Sequence, residues 1–130
     1  MLTGNVSTQV VGMFGKLDIV AWGPEATEIR LWMKVDRSSE SGCWPWKGGL
    51  SRYGYGCFWT GGRTAPAHRA VYESVVGPVP PGLQIDHVCH NRDPKCVGGP
   101  QCLHRRCVNP AHLEAVTPRV NVTRGCWRTR

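Results

Sequence analysis

The chain has 130 residues, with 16 Lys and Arg against 9 Asp and Glu, a formal charge of +7 and seven cysteines. This length supports one domain with a modest core, no run is apolar enough to span a bilayer, and seven cysteines cannot all pair within one chain. The basic excess points to a polyanionic partner such as nucleic acid.

Residues 1–23 have neither a firm periodicity nor the basic start and continuous apolar run of a secretory signal. An N-terminal arm or irregular segment is expected there, followed by a single domain over 24–130. The setting expected is cytoplasmic, where thiols stay reduced and Cys/His clusters favour metal over disulfides. "PEATEIRLWMKV" puts Pro24 at a helix start, acids early and basic residues late, with Ile29, Trp32 and Met33 on one face. "DRSSESG" is turn chemistry. "CWPWKGGLSRYGYGCFWTGGRTAPAH" alternates short aromatic runs with glycines, as two or three antiparallel strands would. "HRAVYESVVGP" reads as a helix closed by Gly77 and Pro78. "PPGLQIDHV" leads from a turn into an extended run, and the polar stretch after it is too long to stand without support. "LEAVTPRVNVTRG" reads as a brief strand and then a helix capped by Thr117, begun by Pro118 and stopped by Gly125.

The support is legible in the ligand count. Cys89, His90, Cys96, Cys102, His104, Cys107 and His112 crowd a stretch almost without aliphatic side chains. Tetrahedral zinc sites of thiolate and imidazole can supply the folding energy such a loop lacks. Seven ligands do not divide by four, so an eighth must come from elsewhere. Cys43, beside Trp44 and Trp46, is the choice over Cys57, which lies within an expected strand. One structural zinc is assigned to Cys43, Cys89, Cys107 and His112, and a second to His90, Cys96, Cys102 and His104. The fold class expected is α+β, a small zinc-stapled domain with antiparallel strands.

Zinc needs none of Asp86, His87, Asn109 and Asn121. Asn109, in "NP", is expected to start a turn and cap the segment leading to His112. His68 is expected in packing or capping.

The remaining residues sit in runs that resemble a known family. "DHVCHN", "RRCVNPAHLEAVT" and "NVTRG", with sparser support from "RLWMKVD", "CWPWKG", "YGYGCF" and "AHRAVYE", are similar to the HNH (ββα-metal, His-Me finger) nucleases. These include phage HNH endonucleases and the His–Cys box homing endonucleases. The resemblance implies a ββα-metal core at about 83–125, a metal-dependent DNA endonuclease, and products with 5′-phosphate and 3′-hydroxyl ends. It implies His87 as general base and Asn121 with Asp86 as holders of the catalytic divalent ion. It likewise implies structural zinc on Cys43, Cys89, Cys107 and His112. His112 stands where many HNH enzymes carry an asparagine that orients the base, so orientation of His87 is expected from a backbone carbonyl near Cys107.

The chemistry suits these residue types. A neutral imidazole can take a proton from water near neutral pH. A carboxylate and an amide oxygen make a hard, open site for Mg²⁺ or Mn²⁺. Arg63 or Arg69 is expected near the scissile phosphate, and Arg105, Arg106, Arg119, Arg124, Arg128 and Arg130 are expected DNA contacts. Double-stranded DNA is the expected partner. A homodimer, because one site cuts one strand at a time, and a phage packaging partner are further associations left open. The alternative from another class is a zinc-stabilised, non-catalytic DNA-binding accessory protein, which has no use for Asp86, His87 and Asn121 together.

Overall fold

The computed structural model of the chain describes residues 24–129, with side chains described from Glu25 to Arg124. The expected arm over 1–23 and the Arg130 contact lie outside the described residues, as does the side chain of Arg128.

Helix α1 (Pro24–Met33) has Pro24 at its start, Glu25 in its first turn and Arg30 in its last, a charge order that suits the helix dipole. Its buried face differs from the expected one. Leu31 is buried, whereas Ile29 and Met33 are 62% and 70% exposed. Leu31 and Val35, four apart, continue one face past the helix end into the core. Trp32 packs against that core from the side and donates its Nε1–H to Glu28 Oε2 at 2.6 Å.

Two strands follow, β1 (Cys57–Trp59) and β2 (Thr64–Pro66), antiparallel with Phe58 opposite Ala65. The rest of the aromatic-glycine stretch contributes single bridges, Val35 to Trp46 and Leu50 to Gly56, in place of a third strand. Helix α2 (Ala67–Val75) buries Ala67 and Val71 completely, and Gly77 beyond it has φ +126°, so the expected closure holds. The main core joins Leu31, Val35, Trp46, Phe58, Val71 and Val108 with Ala67. Trp46 meets Phe58 edge to face, with centroids 5.8 Å apart.

The second half is built on β3 (Gln84–His87) paired antiparallel with β4 (Leu113–Val116), so that Asp86 faces Glu114 and His87 faces Leu113. The short helix α3 (Val88–Asn91) and two 3₁₀ turns, Leu103–Arg106 and Pro110–His112, lie between them. Helix α4 (Pro118–Thr129) completes the β-β-α order. Thr117 Oγ1 accepts from Val120 N at 3.2 Å, the expected cap. Gly125, expected as the stop, is helical, and α4 continues to Thr129. An interior glycine costs a helix only about 1 kcal/mol and ends it only by turning left-handed. The architecture is α+β, as the element pattern implied. Among the described residues no helix is long and apolar enough to cross a membrane.

Candidate active site and metal centres

The two Cys/His sets are brought together as two clusters, Cys43–Cys89–Cys107–His112 and His90–Cys96–Cys102–His104, each with its ligand atoms within 4.8 Å of one another. In the first, His112 Nδ1 lies 3.5 Å from Cys43 Sγ and 3.6 Å from Cys107 Sγ. Tetrahedral zinc with ordinary Zn–S and Zn–N bonds separates S from N by about 3.6 Å, so the donor set fits that ion. Asn109 stitches this cluster as expected, accepting from Ala111 N at 2.9 Å, and its Nδ2 also donates to Gly42 O at 2.7 Å. The hydrogen bond between Cys89 and Cys107 raises the first thiol, with burial adding to it, and lowers the second to about 5. One thiolate is thus favoured before any cation binds, and a dication would ionise the others.

In the second cluster Cys102 Sγ lies 3.4 Å from Cys96 Sγ and 3.5 Å from Nδ1 of both His90 and His104. A sulfur pair at 3.4 Å is not a disulfide, and the six cysteines among the described residues are free thiols. Asp93 Oδ2 stands 3.6 Å from His104 Nε2, where a carboxylate steadies a ligating imidazole. Both clusters could hold zinc.

Beside the second cluster, with His90 in its lining, lies a cleft of about 160 Å³ bordered by Tyr55, Asp86, His87, Asn91, Arg105 and Asn121, with the loop at Val97–Gly99 as one wall. Asp86 and His87 are both buried, each 7% exposed. His87 ends β3, and its Nε2–H donates to the Cys107 carbonyl at 3.1 Å. That bond leaves Nδ1 as the ring's proton acceptor. Burial lowers His87 to about 4, outweighing the Cys107 bond and the Asp86 charge, which raise it, so its imidazole is neutral at neutral pH. Asp86 Oδ2 accepts from Asn91 Nδ2 at 2.6 Å and from Arg124 Nη1 at 2.7 Å, and Arg124 also reaches Glu114 Oε1 at 3.0 Å. Asn121, on the first turns of α4, donates Nδ2 to Gln84 Oε1 at 2.8 Å. Asp86 Oδ1 and Asn121 Oδ1 therefore remain as hard oxygen donors on one cleft, a set that suits Mg²⁺ or Mn²⁺.

The arginines distribute differently from expectation. Arg63 sits exposed in the β1–β2 turn, where its N–H meets Thr60 Oγ1, and Arg69 borders a neighbouring groove; neither lines the cleft that holds His87. Arg105 does line it, with its guanidinium 4.8 Å over the Tyr55 ring and Nη1 on Tyr53 O at 2.6 Å. Arg106 borders the hollow beside the first cluster, with Nε buried and unpartnered. Arg119 is exposed on α4, and Arg124, expected against DNA, is turned to Asp86.

Sequence reasoning missed two partners of Asp86. Asn91 carried a local signal, an amide one short helix beyond Asp86. Arg124 carried none, because its pairing depends on how α4 crosses β3. His68 was expected in packing, and its ring does lie 4.6 Å from that of His87, with Tyr55 5.8 Å from both.

Residues 65–93 match the family model described as HNH endonuclease. The match runs from β2 through α2 and β3 and includes Asp86, His87 and Asn91. The chain is 37% identical over 87 residues to Protein 7.7 of Escherichia phage T7, covering 64% of this chain and 57% of that protein. It is 32% identical over 87 residues to Protein 2.8 of the same phage, covering 65% and 50%. The chain thus spans about half the length of the curated relatives it matches. No solved structure matches it. The family match agrees with the resemblance to HNH endonucleases read from the sequence, and both relatives are phage proteins.

Proposed function

We propose that the chain is a metal-dependent DNA endonuclease that hydrolyses phosphodiester bonds with His87 as general base. One observation carries this reading: a neutral imidazole, tied by Nε2 to the Cys107 carbonyl, borders the same cleft as Asp86 and Asn121. His87 Nδ1 takes a proton from a water molecule as its oxygen bonds to phosphorus. The P–O3′ bond breaks, and the leaving oxygen is protonated by solvent. A Mg²⁺ or Mn²⁺ ion held by Asp86 and Asn121 would neutralise charge on the phosphate and on that oxygen. Asn91 orients the Asp86 carboxylate, Arg124 balances its charge until a divalent ion binds, and Arg105 brings positive charge to the cleft wall. Cys43, Cys89, Cys107 and His112 would hold structural zinc and so fix the end of β3. His90, Cys96, Cys102 and His104 would hold a second zinc and support the wall at Val97–Gly99.

The HNH match and the basic charge support DNA as substrate. The test is conversion of supercoiled plasmid to nicked or linear form by the purified chain with and without Mg²⁺ or Mn²⁺. Metal-dependent conversion is expected. Binding without conversion in either metal would leave the non-catalytic binding module instead.

A further inference from the structure

Beside the cleft runs a second hollow of about 520 Å³, bordered by Ser51, Thr64, His68, Arg69, Gln84 and Asn121 among others. It shares Tyr55, Ile85 and Asn121 with the cleft, so the two are continuous along β3. None of the residues that border it is acidic, in contrast to the cleft with Asp86.

Three of its polar side chains, Ser51, His68 and Arg69, can donate into it, beside Thr64, Gln84 and Asn121, which carry both donors and acceptors. Ser51 Oγ accepts from the amides of Tyr53 and Tyr55 at 3.2 and 3.3 Å, which leaves its own O–H free to donate. His68 Nδ1 is sealed from solvent without a hydrogen-bond partner, whereas Nε2 is not among the buried orphans. The ring therefore meets the groove through its Nε2 edge, and the tautomer that places the proton there is the one able to bond outward. Burial, with the neighbouring His87 and Arg69, lowers His68 to about 3, so it acts as a neutral donor. Arg69 pairs with Glu73 at 3.1 Å, but both side chains are well exposed. Such a surface pair holds its arginine weakly.

We propose that this groove seats the DNA phosphate next along the strand from the scissile one, with His68 Nε2–H, Ser51 Oγ–H and Arg69 as its donors. The assignment rests on the endonuclease reading for its register relative to the cleft. The groove as a phosphate site stands independently, on three convergent donors in a lining without carboxylates. His68 thereby has two contacts, phosphate through Nε2 and the His87 ring through its face.

The test uses the full chain and a labelled 20-base-pair duplex, with affinity followed across a salt series without added divalent metal. Arg69→Ala should weaken binding and lower the salt slope by about one. His68→Phe keeps a ring against His87 but removes the N–H, and should weaken binding about five-fold with the slope unchanged. In plasmid cleavage His68→Phe should raise KM about five-fold and leave kcat within about three-fold. Wild-type affinity and slope in both variants would overturn the groove even if plasmid is cut. The expected binding changes in a chain that cuts nothing would uphold the phosphate site and defeat the endonuclease reading. A His68→Phe variant that loses kcat with KM and affinity unchanged would assign His68 to packing alone and overturn its role as a phosphate donor.

Discussion

The Nε2 of His87 donates to the carbonyl of Cys107 at 3.1 Å, while Cys107 Sγ belongs to the first Cys/His cluster. One residue thus offers its thiol to a metal site and its backbone to the candidate base. The bond fixes the tautomer of His87, and the cluster fixes the bond.

The two clusters should therefore fail differently. Cys107→Ser should reduce zinc from about two per chain to about one and abolish plasmid cleavage, because the carbonyl that orients His87 moves with its thiol. Cys96→Ser should also lose one zinc yet retain cleavage within about ten-fold. Metal analysis beside a nicking assay checks both, and equal cleavage by the two variants would separate the base from the first cluster.

Arg124 places a cation on the carboxylate assigned to the divalent ion. Arg124→Ala should lower the Mg²⁺ concentration needed for half-maximal cleavage about five-fold, the equivalent of about 1 kcal/mol for a partly exposed pair. An Mg²⁺ titration of the nicking rate reads this directly. A shift to higher Mg²⁺ would mean that Arg124 organises the site more than it competes for it.

Gly54 ties the loop of the second cluster to the turn before β1. Its φ is +90°, and a Cβ there would meet the Pro100 carbonyl oxygen. Gly54→Ala combines left-handed strain with a backbone clash, of order 2–3 kcal/mol. In a domain of this size the melting temperature should fall by about 8 °C or more, with zinc content preserved. An unchanged melting temperature would show that the loop does not dock there.

Much of the site was legible because its signals are local. The ligand residues between Cys89 and His112 stand close in the chain, the count demanded an eighth, and the expected strand at Cys57 left that place to Cys43. The tie between His87 and a carbonyl near Cys107 followed from His112 standing where an orienting asparagine was expected. What could not be read was tertiary. Ile29 and Met33 have the right spacing for a buried face, but the core lies on the side of Leu31 and Val35. Arg124 read as one more DNA contact, and only the crossing of α4 over β3 turns it to Asp86. Gly125 carried a stop signal that the backbone does not use.

The most direct measurement compares supercoiled plasmid cleavage by the wild type and His87→Ala in Mg²⁺, with zinc content determined for both. Removing a general base costs about 10²–10⁴-fold in rate. His87→Ala should fall by that much while keeping its zinc, and cleavage at the wild-type rate by a zinc-replete variant would contradict the role of His87.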